Sequence, residues 1–216
     1  LKAGSEDASV LVLRGIANIL SGYVAEGLQD FAHPAVGGNF DSHLWKAIAA
    51  ARQGKWAEAR EKFKNVEFSI SAMPLELQRV AVTDSLRAAL EVHDFASASN
   101  RLNEIEVVGS VGAGKAGLAV LRGRLAEALA RAADAIVEYG EAIKSGNRAA
   151  EAEGKLRDVA LKLRREEIKP AEALATLETL AVTWRGDAVE VETLRHLSRL
   201  YASEGKYRDA LVAVKT

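Results

Sequence analysis

Leu197-Ser-Arg-Leu-Tyr-Ala-Ser-Glu-Gly-Lys-Tyr-Arg-Asp-Ala-Leu211 reads as two helical halves about one breaker. Leu197, Leu200 and Tyr201 share one helical face. Gly205 then interrupts the helix, as a residue that takes the left-handed conformation without steric cost should. A second helix opens with Tyr207, Ala210 and Val214 at spacings of three and four. Small Ala210 lets the second helix lie close to the first, and bulky Tyr207 fills the space near the turn.

The same pattern recurs upstream. Gly54-Lys-Trp-Ala-Glu-Ala59 is followed by Phe63, and His93-Asp-Phe-Ala-Ser-Ala98 by Leu102. A looser copy runs through Gly123, Ala126, Ala130, Ala135 and Tyr139. In another, Pro170 stands where a second helix should begin, a position at which its missing N–H is harmless, and Ala173 and Leu177 follow. A weaker first copy includes Gly22 and Tyr23 and ends before Pro34. The marker residues Ala59, Ala98, Ala135, Ala173 and Ala210 take equivalent places, with a spacing of 39 at the start. The remaining steps, 37, 38 and 37, confirm a fixed period, which is the signature of stacked helical hairpins, each burying its apolar stripe against the next.

The predicted helix pairs are 6–20 with 22–32, 41–53 with 55–67, 76–92 with 94–106, 115–129 with 131–145, 149–166 with 170–183, and 187–204 with 206–216. Links fall at 35–39, 107–114, 145–147 and 185–187. The expected fold is all-α: a right-handed α-solenoid of about six stacked antiparallel hairpins, forming one repeat domain over 1–216. The chain begins at Leu1 and stops at Thr216 inside a helical pattern, and it is read as a piece of a longer protein.

The Gly–Lys–aromatic–x–x–Ala run with a large residue four later resembles the turn and second helix of the tetratricopeptide repeat family. Gly54 to Phe63 and Gly205 to Val214 carry the resemblance best, and it extends over nearly the whole chain. The family's usual period is about 34, so the longer steps here imply longer helices or loops. The resemblance implies a curved wall of helices whose concave groove takes partner proteins or extended peptides.

Composition narrows the function classes. The chain has 216 residues, 49% hydrophobic but only 6% aromatic, so its apolar content is mostly the Ala, Leu and Val of a helical protein. Twenty-nine basic residues against 30 acidic ones lack the basic excess of a nucleic-acid binder. There is no cysteine, which excludes disulfides and cysteine–zinc sites. No apolar run approaches the ~20 residues needed to span a bilayer, and Val10–Ile19 contains Arg14.

Gly109-Ser-Val-Gly-Ala-Gly-Lys115 has the spacing of a phosphate-binding loop, after a strand-like Ile105–Val108. Such a loop aims backbone N–H groups and a lysine at phosphate oxygens. The next residue is Ala116, so the hydroxyl that would hold Mg²⁺ is missing, and the segment falls where the repeat places a link. It reads as a link, with a nucleotide-binding protein as a remote alternative. Arg185-Gly-Asp187 reads as a turn whose aspartate caps a helix. His33, His43, His93 and His196 form no metal-ligand spacing, and no nucleophile elbow or triad is legible. No cofactor and no catalytic residue is expected.

One column repeats in register. Eleven residues before the marker alanines stand Arg87, Arg124, Lys162 and Arg199, in steps of 37, 38 and 37, while the second copy has Ile48 there. Arg195 lies one turn earlier than Arg199. The resemblance places this part of the first helix on the concave groove, implying a basic row that attracts acidic peptides or carboxylate tails. The asparagines of the family's carboxylate clamp have no counterpart here, so that activity is not implied. The expected function is a non-catalytic interaction scaffold for a partner protein or an extended acidic peptide. A structural spacer or homotypic assembly element, self-associating through open solenoid ends, is the alternative.

Overall fold

The computed structural model describes residues 7–109 and 113–215, which form twelve α-helices and one 3-10 helix, with no strand among the described residues. The chain divides into two compact units, Leu1–Ser110 and Val111–Thr216. The first unit holds α1 (Ala8–Leu20), α2 (Val24–Ala32), α3 (Phe40–Arg52), α4 (Trp56–Lys64), the 3-10 helix Glu67–Ala72, α5 (Leu75–Glu91) and α6 (Phe95–Val108). The second holds α7 (Ala113–Ala128), α8 (Ala132–Lys144), α9 (Arg148–Arg164), α10 (Pro170–Thr183), α11 (Ala188–Ser203) and α12 (Tyr207–Lys215). In each unit every odd-numbered helix packs on the helix that follows it, and the odd-numbered helices also touch one another in sequence: α1 on α3 on α5, and α7 on α9 on α11.

All six hairpin turns are built alike. Each has one left-handed residue: Gly22, Gly54, His93, Ala130, Glu166 or Gly205. The next residue then donates its N–H to a carbonyl five positions back, as Lys55 does to Ala50 at 3.0 Å and Arg131 to Ala126 at 2.8 Å. This bond closes the last turn of the first helix and reverses the chain. Five of the six left-handed residues lie five positions before the marker residue, so the turn sets the register of the second helix. In the fifth hairpin Glu166 lies seven before Ala173, and α10 starts late, with Pro170 as its first residue.

At Ala130 a β-carbon occupies this left-handed position, φ 60°. Relieving that strain outweighs the extra chain entropy of glycine, so Ala130→Gly should stabilise the second unit by about 0.5–1 kcal/mol. Urea unfolding would show a higher midpoint at constant slope; an unchanged or lower midpoint would mean that the turn is unstrained.

The marker residues sit in the helix contacts. Ala59, Ala98, Ala135 and Ala173 are fully buried, and Ala210 is nearly so. In the first hairpin the place belongs to Gly27, five after Gly22, where a β-carbon would lie 2.7 Å from the Gly15 carbonyl oxygen. A residue four positions later fills the adjacent space in two units alike: Phe31 and Phe63 in the first, Tyr139 in the second, all buried.

Five helices start on side-chain caps. The carboxylate of Asp7, Asp94 and Asp187 and the amide oxygen of Asn39 and Asn147 accept N–H bonds from the first turns of α1, α6, α11, α3 and α9. Asp187 thus plays the capping role read from its sequence. Two local expectations change. Residues Ile105–Val108, strand-like in sequence, form the last turn of α6, where Ile105 is buried and Val107 is 89% exposed. The second helix of the second hairpin stops at Lys64, and a 3-10 helix occupies the link.

Candidate functional site

The facing sides of the odd-numbered helices are joined by ion pairs. In the first unit Arg52 on α3 reaches Asp84 on α5 at 3.4 Å and also donates to the Ile19 carbonyl on α1 at 2.6 Å. Burial pushes the Asp84 carboxyl above its ordinary value, against the opposing pull of Arg52 and Arg87. In the second unit Arg124 on α7 pairs with Glu153 on α9 at 3.6 Å, and Arg157 on α9 with Glu192 on α11 at 3.2 Å. His196 is half-buried beside the latter pair. Desolvation holds its imidazole below the ordinary value; Glu192 pulls the other way, while Arg199 and Arg157 add to the lowering.

The five residues of the basic row meet different surroundings. Arg87 is half-buried on α5, close enough to Asp84 to act on its titration. Arg124 is matched by Glu153, and Lys162 by Asp158 one turn back on α9 at 2.7 Å. Arg195 and Arg199 stand exposed on α11, with no carboxylate at ion-pair distance among the described residues. In the second unit the uncompensated positive charge of this column therefore concentrates on α11. The partner carboxylates Glu153 and Glu192 are the residues that sequence reasoning missed.

The phosphate-loop-like segment lies partly outside the described residues, at 110–112. On its near side Gly109 ends α6 with φ 74°, and its carbonyl accepts from Arg79 Nε at 2.9 Å. On its far side Lys115 is exposed on α7 and borders a cleft of about 730 Å³ at the open end of the fourth hairpin, with Arg122, Glu138, Glu141, Lys144 and Asn147. A helix precedes the segment where a phosphate-binding loop has a strand.

The chain matches no protein-family model, no curated protein and no solved structure. Its chemistry therefore has to be read from its own side chains. Among the described residues no group of His, Asp and Glu is arranged to hold a metal ion, and no helix is long and apolar enough to cross a membrane.

Tyr139 and Tyr201 titrate far from neutrality for local reasons. Burial, with the Glu127 carboxylate that accepts its hydrogen bond, drives the Tyr139 hydroxyl strongly upward. Tyr201 is pushed up to about 12 by its bond to Glu178. Both hydroxyls donate to carboxylates across helix contacts and serve as struts.

Proposed function

We propose that the protein is a non-catalytic interaction scaffold whose units are tetratricopeptide-like α-solenoid segments of three hairpins each. The observation that carries this reading is the sequential contact of alternate helices, α1 with α3 with α5 and α7 with α9 with α11. Helices laid side by side in this way make an extended wall, and a wall of this kind recognises an extended polypeptide. The exposed guanidinium groups of Arg195 and Arg199 give the second unit's wall a preference for acidic segments, since arginine binds a carboxylate through two parallel bonds. Arg124 and Lys162, already matched by acids, act in this reading as fixed parts of the wall.

Fluorescence anisotropy with a labelled glutamate-rich peptide tests it. Reversing both charges, Arg195→Glu with Arg199→Glu, should weaken binding about tenfold, roughly 1.4 kcal/mol. It should also flatten the dependence of affinity on salt. Equal affinity and an equal salt slope in the double variant would remove α11 as the binding face.

Homotypic assembly is a second reading, favoured by the apolar side chains that α12 leaves exposed, Tyr207, Leu211, Val212 and Val214. Sedimentation over a wide concentration range decides it, because a constant monomer mass is incompatible with self-association through that helix.

A further inference from the structure

The open end of the second hairpin holds a cleft of about 400 Å³ between the start of α3 and the end of α4. His43 and Lys46 line it from α3, and Lys62, Asn65 and Val66 from α4 and the residues after it. Phe40 forms another wall, and no carboxylate lines it. The Phe40 ring, 44% exposed, packs at 5.2 Å between centroids against Phe68, which is 72% exposed. Phe68 belongs to the 3-10 helix, the one extra helix inserted between hairpins among the described residues. Insertions in repeat proteins map to one face, often the face that binds.

The fold itself does not require this chemistry. Ala59 and Ala135 are 76 positions apart, and at the same step the cleft of the fourth hairpin has Ala116 for Phe40, Ala119 for His43, Glu138 for Lys62 and Glu141 for Asn65. Only Lys46 keeps its sign, as Arg122. One architectural position thus carries two different linings: the cleft of the fourth hairpin mixes Lys115, Arg122 and Lys144 with two glutamates and has no aromatic ring. A solvated pair of aromatic rings beside three basic side chains has an energetic cost in water that burial against a ligand removes. Among the described residues the acid paired with these side chains, Glu58 with Lys62 at 3.5 Å, forms an exposed pair of one helix and competes weakly.

We propose that this cleft is a binding site for an acidic peptide segment with an aromatic anchor. The anchor packs on Phe40 and Phe68, and flanking carboxylates sit against His43, Lys46 and Lys62. The site is separate from α11 and stands whether or not the wall of odd-numbered helices binds peptides.

The test is an NMR titration of the full chain, isotopically labelled, with a short synthetic peptide holding one tryptophan between aspartate and glutamate residues. Amide shifts should centre on residues 40, 43, 46, 62 and 68. Phe68→Ala removes an exposed side chain and should leave the circular dichroism spectrum unchanged while weakening binding about tenfold. Lys46→Glu should weaken it by a similar factor and flatten its salt dependence. Control peptides with the acids as amides, or the tryptophan as alanine, should each bind more weakly. The Arg195→Glu, Arg199→Glu protein should bind as the parent does, which separates this site from the wall. Shifts centred elsewhere, indifference to Phe68→Ala and Lys46→Glu, or binding of adenosine monophosphate in place of the peptide would overturn the proposal.

Discussion

Arg60→Met should cost the first unit about 3 kcal/mol, the low end of what is lost when one partner of a buried ion pair is removed. The Arg60 side chain is only 8% exposed. Its guanidinium donates to Asp94 at 2.8 Å, to the Ser97 hydroxyl at 2.6 Å and to Glu67 at 3.2 Å. One side chain on α4 therefore ties together the 3-10 helix and the start of α6. Glu67 accepts in addition from Ser85 at 3.2 Å and lies 3.9 Å from Arg101, so α5 joins the same network. Methionine keeps the aliphatic stem but leaves both carboxylates short of a partner. Asp94, about a third exposed, can turn to water, which sets the estimate at the low end.

Titration gives a second signature. Desolvation pushes Asp94 upward, but hydrogen bonds from Arg60 and Ser97 outweigh it and hold the carboxyl below its ordinary value. A depressed carboxyl contributes stability that is present above the unfolded value of 3.8 and is lost as pH falls through the folded one. The Arg60→Met protein should therefore lose less stability than the parent on acidification below about pH 4. Urea unfolding at neutral and acid pH measures both effects. A loss under 1 kcal/mol with an unchanged acid limb would mean that water already serves the network. Lys62→Met, which breaks only the exposed pair with Glu58, is the control and should change stability by at most about 0.5 kcal/mol.

That network also marks where the sequence stops being readable. The hairpins were legible because one small residue, one turn and one large residue recur at nearly constant steps. Each is a local steric requirement, so each leaves its mark in every copy. The position after the marker is Ile136, Leu174 and Leu211 in other copies, and nothing local distinguishes Arg60 from an exposed arginine. Its burial follows from the 3-10 helix, whose residues alternate apolar and polar from Val66 to Ala72 as a strand would, with no helical period, and which Pro74 separates from α5. The matched acids were hidden for a related reason. Asp84 follows Arg52 by 32 residues, Glu153 follows Arg124 by 29, and Glu192 follows Arg157 by 35. Long side chains reach across helix contacts from different registers, so one fixed step picks out Arg124 but neither Arg52 nor Arg157, and none of the carboxylates that meet them. The cleft at Phe40 escaped in the same way, since Phe68 is brought to it by the inserted helix.

Gly123→Ala should destabilise the second unit by about 2 kcal/mol, even though alanine is the better helix former by about 1 kcal/mol. A β-carbon at Gly123 would lie 2.4 and 2.6 Å from the edge of the Tyr139 ring, closer than any real contact. The ring has no room to retreat, being fully buried. It is also tethered: its hydroxyl donates to Glu127 at 2.7 Å, and Glu127 is in turn held by Arg164 on α9 at 2.8 Å. Making space for one methyl group thus means pulling a bond between α7 and α8 whose acceptor is charged. Gly140, in the interior of α8, has open space where its β-carbon would stand. Gly140→Ala should accordingly gain up to about 1 kcal/mol, which separates overpacking from helix propensity. The second hairpin supplies the remaining arm of the argument. It holds Ala47 and Phe63 at the places of Gly123 and Tyr139, so a methyl group is accommodated there beside a ring without a hydroxyl tether, whereas the first hairpin keeps Gly15 beside Phe31, where a β-carbon would lie 2.6 Å from the ring. Adding Tyr139→Phe to Gly123→Ala should then cost less than the two single changes together, and a double-mutant cycle in urea reads the difference directly. Strict additivity would show that the ring clash alone, and not the Glu127 tether, sets the spacing of α7 and α8.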